Sequence, residues 1–187
     1  MKTISNFISP SRLLPAIFSI ALIPAVHAQS IEKNSHFFDT VGMHGGTDAE
    51  SDISIENYEV FATVSTHHVW KLGEQTKLTL KFEGAVGALI NEDDTAIYAR
   101  IGPQLVLSSD ALPLSLVASS GPAYLTDHTF ENLDLGGGFQ FISSIGFDWE
   151  INDHWSLGYR WNHISNAGIH DENPGLNLHT IGFSYQF

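Results

Sequence analysis

The chain has 187 residues, enough for one domain with a sizeable core and too few to expect two. Eight basic residues against 21 acidic ones, a formal charge of −13, argue against the basic face that nucleic-acid binding needs. No cysteine is present, so stability has to come from burial and backbone pairing rather than disulfides.

Mean hydropathy is near zero despite this acidity, so the layout of the apolar residues decides the class. Lys2 and Arg12 form a positive n-region ahead of an apolar run from Leu13 to Ala25, broken by Pro15 and Pro24. Val26-His27-Ala28 then offers a signal-peptidase site. Residues 1–28 read as a secretory signal peptide and 29–187 as the mature domain. The run is too short for a membrane helix, which needs about 20 apolar residues. Losing Lys2 and Arg12 removes no acid, so the mature chain is more acidic still.

Beyond the leader, period-two alternation predominates. A first strand is expected near Phe38–Gly45, followed by an acidic loop over Gly45–Ser54. From Glu56 to Trp70, Tyr58, Val60, Ala62 and Val64 share one face. From Lys77 to Ile90, Leu78, Leu80, Phe82, Val86 and Ala88 oppose Lys77, Thr79, Lys81 and Glu83. After the loop Asn91–Asp94, Ile97, Ala99, Ile101, Leu105 and Leu107 oppose Arg100 and Gln104. A strand over Pro113–Tyr124 leads to a polar loop, Leu125–Asn132. Leu133–Trp149 then reads as one long strand, with Leu133, Leu135, Phe139, Phe141, Ile145, Phe147 and Trp149 on one face. Two more strands follow the turn Glu150–His154, and Ile181, Phe183, Tyr185 and Phe187 alternate to the last residue.

That layout makes eight strands of the length of tilted membrane spans, joined by short turns alternating with longer polar loops. Tyr58, Trp70, Trp149 and Trp155 sit near strand ends, as interfacial aromatics do. Lys81, Glu83, Arg100, Asp148 and Arg160 fall on the polar faces, which a small closed barrel can bury by pairing. An open sheet could not face lipid with unsatisfied edge amides, whereas a closed one can. The expected fold is all-β: an eight-stranded antiparallel up-and-down transmembrane barrel of the bacterial outer membrane. Its aromatic C-terminus resembles the assembly signal of such barrels. The longer loops, including the one after Ser165, are then extracellular.

Strand parity locates the chemistry. From Trp155 to Ser165 the odd positions read Trp, Leu, Tyr, Trp, His, Ser, which makes theirs the lipid face. His163 and Ser165 therefore point outward at the outer leaflet. On the last strand Asn177 shares the outward face and neighbours His163. A serine beside a histidine, with a third group orienting the ring, is the arrangement of an activated nucleophile. The pattern alone is weak, because His154-Trp155-Ser156 repeats it, and no G-x-S-x-G elbow is present. A histidine and serine contacting lipid headgroups would read the same way.

His163-Ile164-Ser165-Asn166-Ala167-Gly168, followed by Asn173-Pro174-Gly175 and a terminal aromatic strand, resembles the PagL family of outer-membrane lipid A 3-O-deacylases. The specific resemblance covers about 25 residues, with leader, strand count and length agreeing less specifically over the rest. It implies hydrolysis of the ester-linked acyl chain at the 3-position of lipid A, with Ser165 as nucleophile and His163 as general base and then acid. It also implies oxyanion donors from the loop: Asn166, the Gly168 amide and Asn173. The family carries a Glu where this chain has Asn177. An Asn oxygen can hold the imidazole but cannot stabilise its cation by charge, so Asp171 and Glu172 stand as alternatives to Asn177. The chemistry calls for no cofactor and no metal; His170, Asp171 and Glu172 could share a cation but read better as a solvated loop. The expected partners are lipopolysaccharide as substrate and the outer-membrane lipids, with a homodimer left open. A non-enzymatic structural or adhesive barrel is the alternative reading, and a narrow channel a third.

Overall fold

The computed structural model describes residues 37–49 and 54–187; the expected signal peptide, 1–28, lies outside the described residues. Eight long strands close into a barrel: β1 (Thr40–Asp48), β2 (Glu56–Lys71), β3 (Thr76–Ile90), β4 (Thr95–Ser109), β5 (Leu112–Leu125), β8 (Phe139–Glu150), β9 (Trp155–Ser165) and β10 (Leu176–Gln186). Two short strands, β6 (Thr129–Phe130) and β7 (Leu133–Asp134), form a separate hairpin between β5 and β8. Every wall pairing is antiparallel between chain neighbours, and β1 pairs with β10 to close the ring. Closure removes both sheet edges, which is what permits strands to sit in hydrocarbon.

Alternation decides which side chain meets lipid. Met43, Val60, Phe82, Val86, Ile97, Ile101, Leu116, Ile145, Phe147, Ile181 and Phe183 all stand exposed on the outer wall. Water would not tolerate an apolar surface of this extent, but a bilayer requires it.

The interior is layered. Near mid-barrel Arg100 reaches Glu59 at 2.7 Å and Glu83 at 2.5 Å, and Gln104 also donates to Glu83. The Tyr98 hydroxyl lies 2.9 Å from Asn57 Oδ1 and 2.9 Å from Glu59 Oε2, while His44 lies 3.7 Å from Glu59. Toward the other end Arg160 pairs with Asp148 at 2.8 Å. Buried charge survives only when its partners are present, and this network supplies them. The lumen is thus filled rather than open, as expected for a barrel of this strand number.

Above that layer lies an apolar cap. Ile55, Leu89, Tyr98, Leu125, Phe130, Leu135, Ile142, Ile164, Leu176 and Leu178 form one buried cluster at the end that carries the longer loops. Phe130 and Leu135 come from the β6–β7 segment, which corrects the expectation that Leu133 and Leu135 belong to a wall strand and face lipid. Positive φ at Gly136 (80°) and Gly137 (137°) breaks the chain there, so β8 starts at Phe139. The hairpin folds inward and Leu135 is only 1% exposed.

Candidate active site

The site lies on the outer wall where β9 and β10 run out into the loop 166–175. Along β9, Gly158, Arg160, Asn162 and Ile164 point into the barrel, while Trp155, Leu157, Trp161, His163 and Ser165 point away from it. His163 and Asn177 are directly paired across β9 and β10. The His163 Nδ1 lies 2.8 Å from Asn177 Oδ1. A carbonyl oxygen can only accept, so Nδ1 carries the proton and Nε2 is left as an acceptor, the tautomer a general base needs.

Two packing contacts fix the ring. Trp161 stacks against it, with centroids 6.1 Å apart and planes 16° from parallel. Gly175 lies beneath: a Cβ there would come within 3.0 Å of His163 Cε1, and its φ of 73° already favours glycine. Ser165 is half-buried on the same face. No hydrogen bond joins its hydroxyl to the ring among the described residues; such bonds commonly tighten only once substrate is in place.

The loop after Ser165 is held from below by Asn166, a fully buried side chain. Its Nδ2 donates to the carbonyls of Leu135 at 2.9 Å and Glu172 at 2.6 Å, and its Oδ1 accepts the Gly168 N–H at 2.9 Å. The Asn166 backbone N–H donates to Asn173 Oδ1 at 3.1 Å, which leaves the Asn173 Nδ2 group without an acceptor among the described residues. Ala167 and Gly168 follow with φ of 55° and 79°, turning the chain sharply away from the wall.

Leu135 O also accepts from Gln140 Nε2 at 3.0 Å, and Gln140 donates to Gly137 O at 2.6 Å. The inward hairpin and the loop 166–175 therefore share a carbonyl. In the hairpin, the Gly136 N–H and the His128 ring hold the Asp134 carboxyl below the usual carboxylate range. Sequence reading missed Gln140 as a support for this loop. The signal available was an in-phase polar residue next to three glycines.

This arrangement separates two tasks. His163, Ser165 and Asn177 form an outward row, whereas Asn166 is buried structure. Asp171 and Glu172 are exposed, and the Glu172 contact with the site is through its backbone carbonyl, not its carboxylate. Asn166→Ala should strand the Glu172 carbonyl and the Gly168 N–H. The expected loss of loop stability is about 1–3 kcal/mol, seen as faster amide exchange at Gly168 and Ile169 with wall amides unchanged.

Fold and site together define a membrane-spanning eight-stranded barrel with a polar Ser–His–Asn row on its lipid-facing wall at the loop-bearing end. The family model described as lipid A 3-O-deacylase (PagL) matches residues 56–186, and the chain belongs to that family. The lipid A deacylase PagL of Bordetella bronchiseptica (strain ATCC BAA-588 / NCTC 13252 / RB50) is 34% identical over 70 residues. That alignment spans 37% of this chain and 39% of the relative's length. The crystal structure of the outer membrane enzyme PagL superposes with a TM-score of 0.69 at 19% identity, covering 79% of this chain and 99% of that one. This last likeness establishes the fold.

Proposed function

We propose that this chain is a lipid A 3-O-deacylase acting as a serine esterase in the outer leaflet of the bacterial outer membrane. The observation that carries the reading is the His163 Nδ1–Asn177 Oδ1 contact of 2.8 Å on the lipid-facing wall, one outward position from Ser165. Catalytic groups on the outside of a barrel suit a substrate that is itself a membrane lipid.

Acyl chains lie against Phe139, Phe141, Ile145 and Trp161, so no deep pocket is needed. Ser165 Oγ attacks the ester carbonyl at the 3-position as His163 Nε2 takes its proton. The C–O bond to the sugar then breaks, and the same proton passes to the departing sugar oxygen. Water, deprotonated by His163, hydrolyses the acyl-enzyme and restores the Ser165 hydroxyl. The tetrahedral oxyanion is stabilised from the loop. Asn173 is the side-chain donor, since its Oδ1 is engaged and its Nδ2 is not; the Gly168 N–H, bonded to Asn166 Oδ1 meanwhile, turns toward the oxyanion when it forms.

Mass spectrometry of lipid A from cells with and without the chain tests this reading. The expected result is a fall in lipid A mass equal to one hydroxyacyl chain, lost from the 3-position. Unchanged lipid A, both in cells and with purified protein in detergent micelles of lipopolysaccharide, would favour a structural or adhesive barrel instead.

A further inference from the structure

The outward row of β8 reads Phe139, Phe141, Ser143, Ile145, Phe147 and Trp149, apolar except at one position. The outward row of β5 reads Leu112, Leu114, Leu116, Ala118, Ser120, Pro122 and Tyr124, with Ser120 its one aliphatic hydroxyl and the Tyr124 phenol at the loop end. The two exceptions meet: Ser120 Oγ and Ser143 Oγ are 2.8 Å apart and paired across β5 and β8. Ser143 is in turn the direct partner of His163 across β8 and β9. Asn177, His163, Ser143 and Ser120 thus form one level line over four strands of the outer wall.

Two hydroxyls facing hydrocarbon are out of place unless something uses them. Their mutual hydrogen bond consumes one O–H and leaves the other without a partner among the described residues. Ser165 is paired with Phe141, so Ser143 is its diagonal neighbour, about 7–8 Å away toward the membrane centre. An acyl chain whose carbonyl sits between Ser165 and His163 runs down the wall in that direction. A hydroxyl on the chain's β-carbon, two bonds beyond the carbonyl carbon, is carried down the wall toward that level.

We propose that the Ser143–Ser120 pair receives the β-hydroxyl of the acyl chain being removed, making the site selective for 3-hydroxyacyl over unsubstituted acyl esters. This rests on the deacylase reading above. A site built to hydrogen-bond a hydroxyl rejects the analogue that lacks it more sharply than an apolar wall could. Pro122, Ala118, Phe141 and Ile145 around the pair keep water away and so raise the value of that bond.

The test uses two synthetic glucosamine 3-O-esters that differ only in the β-hydroxyl, presented to the full barrel in detergent micelles. The ratio of kcat/KM for the hydroxylated ester to that for the unsubstituted one is the readout. Wild type should prefer the hydroxylated ester by about tenfold, and Ser143→Ala combined with Ser120→Ala should bring the ratio close to one. Ser143→Thr keeps the hydroxyl and should keep the preference, which separates recognition from a change in wall packing. A purely structural role would lower both rates together and leave the ratio intact. A wild-type ratio near one, or a ratio unmoved in the double variant, overturns the proposal. Hydrolysis of neither ester by folded wild type overturns the deacylase reading itself.

Discussion

Ser165→Ala should abolish release of the acyl chain from lipopolysaccharide while the barrel folds as before. The expected fall in kcat is on the order of 10⁴–10⁶, because a nucleophile and its base act as a unit and removing either costs nearly the whole of their joint effect. For the same reason Ser165→Ala combined with His163→Ala should be little worse than either alone. The fold has no stake in the hydroxyl: Ser165 stands half-exposed on the outer wall, and no hydrogen bond to its side chain occurs among the described residues. Lipid A mass spectrometry gives the activity, and heat-dependent migration on a detergent gel reports whether the barrel has closed. A folded variant retaining a tenth of the activity would place the nucleophile elsewhere.

The parts of this molecule that could be read from sequence are those governed by a single local rule. Period-two alternation fixed which of His163, Ile164 and Ser165 face lipid, and seven of the eight wall strands lie within a few residues of where alternation puts them, β8 being the exception. The register of Asn177 against His163 followed from the short distance between the strands along the chain. What alternation could not reveal was an interruption that keeps its phase. Leu133 and Leu135 are in step with Phe139 and Phe141, so 133–149 looks like one strand; only the left-handed turn at Gly136 and Gly137 sends the leucines inward instead.

Asn166 illustrates a different limit. An amide side chain offers both donors and an acceptor, so a sequence motif cannot say whether it serves a reacting oxygen or the loop around it. The structure commits all three of its observed hydrogen bonds to Leu135, Glu172 and Gly168. Ser143 was overlooked for a simpler reason: one hydroxyl in an apolar row carries no signal until the register brings it beside His163 and Ser120.

Asn177→Ala should lower kcat by about a hundred- to a thousandfold, the second-largest effect expected here. The loss has two sources. Without Oδ1 the imidazole is no longer held with its proton on Nδ1, and Nε2 is no longer reserved as the base toward Ser165. The ring also gains freedom to rotate, restrained only by Trp161 and the floor at Gly175. Stability should change little, because the contact is on the outer wall. The informative companion is Asn177→Asp, which keeps the length of the side chain and supplies the charge the amide lacks. An Asn can turn either its oxygen or its NH2 group to the ring, and only the first gives the active tautomer; a carboxylate presents oxygen both ways. It also stabilises the imidazolium formed when Ser165 gives up its proton. Asn177→Asp should therefore raise kcat by up to about tenfold where the introduced carboxyl is ionised, because its charge stabilises the imidazolium in the transition state. That gain should fade as pH falls through the carboxyl's own titration and the side chain becomes neutral again. A pH–rate profile of both variants decides the point. If Asn177→Ala leaves the rate unchanged, the ring is oriented by another group, and Asp171→Asn and Glu172→Gln are the next to measure.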